Sequence, residues 1–145
     1  MIYLVRIKDI NREKREVMTG MVFDNYELKS VIGEGELGVV YLAQSLADGS
    51  WGACKILRPE VAADGGAVQR FIFEAKTASK LDHPNVVRAI SAGASGGYYY
   101  FIMEYVDGCS LERLRLERPE VLSPEFLCAR FAELADVLDY AWRTH

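Results

Sequence analysis

A glycine-rich segment that leads from one β-prone stretch directly into another constrains this chain most. Its glycines are Gly33, Gly35 and Gly38, spaced as GxGxxG. Glycines at this spacing let backbone amides approach phosphate groups without obstruction by side chains. In a dinucleotide-binding fold the same spacing opens a helix, whereas here it opens the β-branched and aromatic stretch 39–43. Two interpretations remain at this point, a β-hairpin that covers phosphates and an ordinary glycine-rich turn.

A single lysine in the next β-prone stretch favours the phosphate interpretation. Lys55 lies in the apolar segment 51–57, where an ammonium group is costly to bury unless an anion pairs with it. Glu74 is a suitable partner, because it lies close to the apolar face of a predicted helix. Such a pair would hold the lysine within reach of phosphates. The alternative is an edge-strand lysine that snorkels to solvent and a solvated glutamate.

The hydrophobic pattern predicts five strands and three helices. The strands are expected at residues 26–32, 39–43, 51–57, 86–92 and 98–105. A helix is expected over residues 68–81, where apolar side chains recur every three or four positions, and the segment before Pro84 should end it. Ser110 and Ser123 are expected to cap two further helices, the second running to about residue 144. Hairpin-length connections join most strands, which favours an α+β protein with an antiparallel sheet.

The charge and cysteine content narrow the class of partner. The chain has a net charge of −4 with acids and bases interspersed, which favours neither nucleic acid nor an anionic membrane. No apolar run approaches the roughly 20 residues of a membrane span, and no signal peptide is evident. We therefore expect no membrane contact within this chain. Cys54, Cys109 and Cys128 are far apart, so we expect no metal site and reduced thiols in a cytoplasmic protein.

Several motifs in one order resemble the N-terminal lobe of a bacterial, eukaryotic-like (Hanks-type) Ser/Thr protein kinase. They are the loop with its following Val40, the Ala53-x-Lys55 motif, Glu74, the link at 81–87 and the hinge-like segment 103–106. The resemblance implies a kinase-like small lobe, with a five-stranded antiparallel sheet and the family's αC helix, followed by the αD and αE helices of an incomplete large lobe. It divides the chain into an N-terminal extension (1–22), the small lobe (23–106) and the start of the large lobe (107–145).

The resemblance also implies roles for individual residues. Backbone amides near Gly33, Gly35 and Gly38 would cover the phosphates of ATP. Lys55 would contact the α- and β-phosphates and Glu74 would support it as an ion pair. The residues implied in adenine binding are Ile32, Val40, Ala53, the gatekeeper Met103, and the backbone of Glu104 and Val106. Gly52 departs from the pattern, because the family usually has valine there.

The resemblance implies a phosphotransferase that uses ATP and Mg²⁺ and takes a protein as substrate. The parent protein would transfer the γ-phosphate to Ser or Thr. The sequence contains neither an HRD nor a DFG motif, so we expect the Mg²⁺ ligands and the catalytic base to lie outside this chain. The fragment alone is then expected to be inactive. The alternatives are a pseudokinase or kinase-like interaction domain, and a non-kinase nucleotide-binding module that is complete at this length.

The last predicted helix carries an apolar stripe that would be covered by a large lobe in a kinase. The stripe consists of Leu127, Phe131, Leu134 and Leu138. If it is uncovered here, an exposed stripe of this kind favours self-association.

Overall fold

The computed structural model describes residues 18–144, so the predicted N-terminal extension lies outside the described residues as far as residue 17. Within them, six antiparallel strands form one sheet in the order β1-β2-β3-β4-β6-β5. The strands are β1 (Val22–Phe23), β2 (Tyr26–Glu34), β3 (Gly38–Ser45), β4 (Trp51–Leu57), β5 (Ala89–Ser95) and β6 (Tyr98–Glu104). The helices are α1 (Pro59–Ala62), α2 (Gly65–Ala78), α3 (Leu111–Glu117) and α4 (Pro124–Thr144), with a 3-10 turn at Pro119–Val121. The predicted α+β fold is confirmed, and the two-residue β1 joins the five expected strands.

Two elements, α2 and β5, have boundaries that differ from the predicted ones. Helix α2 begins at Gly65 and ends at Ala78, because the Asp64 side chain accepts a hydrogen bond from the Gly66 amide at 2.9 Å and caps the helix early. Beyond Ala78 the backbone continues in tighter turns that do not extend the helix. The strand expected at 86–92 begins only at Ala89, since residues 83–86 form a turn in which the Val86 amide donates to the His83 carbonyl.

The sheet buries side chains on both faces, and each face has its own core. On the outer face, Phe23 of β1 contacts the rings of Tyr98 and Tyr100, with ring centroids 6.4 and 5.3 Å away. Cys54 is fully buried in this core, and burial raises the pKa of its thiol to about 12. The thiol therefore stays protonated and packs as a small apolar group.

Helix α2 covers the inner face of the sheet. Val68, Phe71 and Ala75 of the helix contact a core formed by residues of the central strands. These helical residues are spaced by three and four positions, as expected for one face of an α-helix. The predicted site residues of β4, Ala53 and Lys55, lie on this inner face. The packing of α2 on the same face therefore determines where Glu74 lies relative to Lys55.

Helix α4 begins as predicted and touches the rest of the chain at few points. Ser123 caps it, because its Oγ accepts a hydrogen bond from the Phe126 amide at 3.2 Å. Near its other end, the Tyr140 hydroxyl accepts from the Asp82 amide at 3.2 Å, and Asp136 lies 3.1 Å from His83 Nε2. In residues 18–144 no helix combines the length and the apolar character that crossing a membrane requires.

Candidate nucleotide-phosphate site

The structure brings Lys55 and Glu74 into direct contact. Lys55 Nζ lies 2.7 Å from Glu74 Oε2, and the lysine side chain is 8% exposed. The ring of Phe71, one turn earlier on α2, has its centroid 5.7 Å from the same nitrogen. The carboxylate and the aromatic face both attract the ammonium group, which offsets part of the cost of burying it. The ammonium group can then neutralise a second anion placed beside it.

The glycine-rich segment is the tip of the β2–β3 hairpin, directly beside Lys55. Its tip is closed by a hydrogen bond of 2.9 Å from the Gly35 amide to the Gly38 carbonyl. Val40 of β3 is paired with Lys55 of β4 in the sheet register. A ligand bound under the hairpin tip would therefore meet the lysine and the loop amides from neighbouring strands.

The three loop glycines have different surroundings. A Cβ at Gly38 would overlap the backbone carbonyl oxygen of Ile56, so only glycine lets β3 approach β4 this closely. Gly35 has no atom within 4 Å of the position of a Cβ, and its outer side is open. Gly33 is buried in β2. The close approach at Gly38 fixes the base of the loop, whereas the opening at Gly35 leaves its tip accessible.

The residues predicted to surround adenine are partly brought together. Ala53 and Met103 are paired in the β4–β6 register, and both are buried. Ile32 of β2 and Val106, just after β6, are 41% and 60% exposed. The Glu104 amide already donates to the Arg88 carbonyl at 3.0 Å. A backbone contact from Glu104 to a ligand would therefore use its carbonyl oxygen.

The structure explains why glycine occupies position 52. A Cβ there would lie 3.0 Å from the Tyr26 ring and 3.3 Å from the Met103 carbonyl oxygen. The ring of Tyr26 thus fills the space that a larger side chain would take on β4. The departure from the family pattern is accounted for locally, and the neighbouring Ala53 and Lys55 keep their places.

The site contains groups that suit phosphate oxygens. The Lys55 ammonium and the backbone amides of the hairpin tip are suited to anionic oxygens. Within residues 18–144, no group of three or more His, Cys, Asp or Glu side chains stands close enough to hold a metal.

Comparison with known proteins identifies the family. The family model "Protein kinase domain" matches residues 26–145, and this chain belongs to that family. It is 42% identical over 87 residues to serine/threonine-protein kinase PrkC of Bacillus subtilis, covering 60% of this chain and 13% of that protein. It is 33% identical over 124 residues to serine/threonine-protein kinase PknI of Mycobacterium tuberculosis, covering 85% of this chain and 21% of that protein.

The fold agrees with that of solved structures, one of which is a kinase domain. The crystal structure of the M. tuberculosis PknI kinase domain is similar with a TM-score of 0.70 and 32% identity, covering 85% of this chain and 49% of that one. The structure titled PpkA-294 apo form shares the fold with a TM-score of 0.69 at 22% identity, covering 77% of this chain and 46% of that one. The chain therefore spans about half the length of each of these two solved chains, and the two curated relatives named above are bacterial Ser/Thr kinases.

Proposed function

We propose that this chain is the ATP-binding part of a Ser/Thr protein kinase domain. The observation that carries the proposal is the 2.7 Å ion pair between Lys55 and Glu74, placed directly beside the glycine hairpin. In this arrangement Lys55 binds the oxygens of the α- and β-phosphates, and Glu74 holds the lysine in position. The loop amides around Gly35 cover the phosphates from above, and phosphoryl transfer depends largely on such positioning and charge neutralisation.

The adenine ring is proposed to lie between the hairpin and the first residues after β6. Ile32, Val40 and Ala53 contact its faces, and Met103 closes the back of the space. The Glu104 carbonyl and the Val106 backbone bind its polar edge. The outer position of Ile32 and Val106, both more than a third exposed, supports a cleft that opens to solvent and admits a ligand.

The parent activity is proposed to be transfer of the ATP γ-phosphate to Ser or Thr of a protein, with Mg²⁺ held by residues outside this chain. The sequence of 145 residues has no HRD or DFG motif, and for this reason we propose that the chain alone transfers no phosphate. Its three free cysteines favour a reducing cytoplasmic location.

Substitution of Lys55 tests nucleotide binding. Lys55→Ala is expected to weaken binding of Mg·ATP at least 10-fold, because the phosphates lose their positive partner, whereas adenosine should bind with unchanged affinity. Isothermal titration of the two ligands measures both effects. Lys29→Ala is the matched control, since Lys29 pairs with Glu27 at 2.8 Å and the two side chains are 33% and 31% exposed. Equal ATP affinity of wild type and Lys55→Ala would refute the proposed phosphate contact.

We also propose that α4 mediates self-association of this chain. Phe131, Leu138 and Trp142 are 64%, 62% and 87% exposed and recur at seven and four positions, so they lie on one side of the helix. Leu127 and Leu134 of the predicted stripe are only partly covered. An exposed apolar stripe of this length favours contact with a second copy.

Sedimentation velocity tests the association. Wild type is expected to sediment as a dimer or larger species at micromolar concentration, and Leu138→Lys should shift it toward monomer, because a charge would be buried in the contact. The control is Leu116→Lys, which changes a residue with 67% exposure on α3, outside the stripe. A wild-type chain that is monomeric at 100 µM, an order-of-magnitude upper limit for weak dimers, would contradict the proposal.

A further inference from the structure

Arg58 contacts one arm and the tip of the glycine hairpin from the end of the neighbouring strand. It follows β4 directly and precedes α1. Its Nη2 lies 3.2 Å from Glu34 Oε2, on the arm before the tip. Its backbone amide donates to the carbonyl of Leu37, the last residue of the tip, at 3.2 Å. One residue thus ties one arm and the tip to the strand that carries Lys55.

The contact is more protected from water than an ordinary surface ion pair. The side chain of Glu34 is 13% exposed and that of Arg58 is 32% exposed. For comparison, the Arg113–Glu117 pair on α3 has exposures of 56% and 58%. Screening by solvent weakens exposed pairs most. The Arg58–Glu34 pair therefore restrains the loop more strongly than the 3.2 Å distance between its charged atoms alone suggests.

The pair lies on the face of the sheet opposite to Lys55. Glu34 is paired with Val39, which packs against the outer core, whereas Val40 is paired with Lys55 and packs against the inner core. Paired residues in an antiparallel sheet point to the same face. The Glu34 carboxylate therefore restrains the hairpin from outside, without competing for the position of the phosphates.

We propose that Arg58 is a positioning residue that fixes the glycine hairpin at the distance from Lys55 needed for phosphate binding. This inference rests on the proposed function. Without the Glu34 contact, the arm before the tip is held by the sheet up to residue 34, and the tip depends on the Gly35–Gly38 and Leu37–Arg58 backbone bonds. The loop then samples open positions, and its amides are no longer preorganised for phosphate oxygens.

Hydrogen exchange of the chain without nucleotide tests the restraint directly. In Arg58→Ala, amide exchange at residues 34–39 is expected to rise about 10-fold, while exchange in β6 and α2 stays within 2-fold of wild type. Arg58→Lys should restore part of the protection, and the reversed pair Glu34→Arg with Arg58→Glu should restore most of it. Arg113→Ala is the matched control on an exposed pair and should leave the hairpin unchanged. Unchanged exchange at 34–39, or a uniform rise over all strands, would overturn the proposal.

Nucleotide titration of the same variants separates this inference from the proposed function. Arg58→Ala is expected to weaken Mg·ATP binding 3- to 10-fold and to leave adenosine binding within 2-fold, since only phosphate contacts depend on the loop. Parallel weakening of both ligands would overturn the positioning role. A wild-type chain that binds neither ligand refutes the proposed function, and the exchange pattern then still decides whether Arg58 restrains the hairpin.

Discussion

Replacing Gly38 by alanine is expected to lower the free energy of unfolding by about 3 kcal/mol, at the upper end of the usual overpacking range. The new Cβ would overlap the carbonyl oxygen of Ile56 and approach its carbonyl carbon to 3.0 Å. Both obstacles are backbone atoms, so no side-chain rotation can relieve the overlap. The strands β3 and β4 must separate locally, and their pairing next to Lys55 is lost first. Urea denaturation followed by circular dichroism measures the difference.

Gly35→Ala is the matched control, because it adds the same methyl group three residues earlier in the same hairpin. No atom lies within 4 Å of that Cβ, and the change in unfolding free energy should stay within about 0.5 kcal/mol. If the two variants are equally stable, the close approach of β3 and β4 at Gly38 is not maintained in solution. The pair of variants thus reports on the base of the loop separately from its tip.

Glu74→Ala is expected to destabilise the chain by about 2 kcal/mol, because it removes the carboxylate at 2.7 Å from the buried Lys55 ammonium. The value is set below that of a fully buried pair, since a quarter of the Glu74 side chain is exposed. Thermal and urea unfolding both measure it. The double variant Lys55→Met with Glu74→Ala should recover part of the loss, as expected when an uncompensated charge is the cause.

Glu117→Ala is the control for the ion pair. It breaks the contact of Glu117 with Arg113 at 2.9 Å between two side chains that are more than half exposed. Its expected effect is about 0.3 kcal/mol. If Glu74→Ala lowers the free energy of unfolding as little as this control does, the buried position of Lys55 does not depend on Glu74. That result would contradict the proposed role of Glu74 in holding the lysine.

Local patterns predicted the fold and the central contact, because each depends on residues whose spacing is visible in the sequence. The apolar periodicity of 68–81 placed Glu74 near the face that packs on the sheet, and the structure has it 2.7 Å from Lys55. Helix caps at Ser110 and Ser123 were equally readable, and both side chains accept hydrogen bonds from backbone amides three residues on.

The features that could not be predicted depend on distant partners. Val86 and Val87 are β-branched, yet the turn that starts at His83 delays the strand to Ala89. The contact of Asp82 with Tyr140 joins residues that are 58 positions apart. Glu34 and Arg58 are charged residues beside a turn and a proline, and nothing in their spacing distinguishes them from solvated side chains. Such contacts arise from tertiary packing, which local propensity does not report.

The contacts between α4 and the segment after α2 bear on how far a tilt of α2 would displace Glu74 from Lys55. Asp82 and His83, which follow α2, contact Tyr140 and Asp136 of α4, so these contacts restrain α2 at its C-terminal end. Glu74 lies four residues from it, about 6 Å along the axis, whereas Gly65 lies about 20 Å away. If α2 tilted by about 10° about its C-terminal end, Gly65 would move by about 3 Å and Glu74 by about 1 Å. A tilt of α2 about its C-terminal end would therefore change the position of the Glu74 carboxylate beside Lys55 far less than that of the N-terminal end.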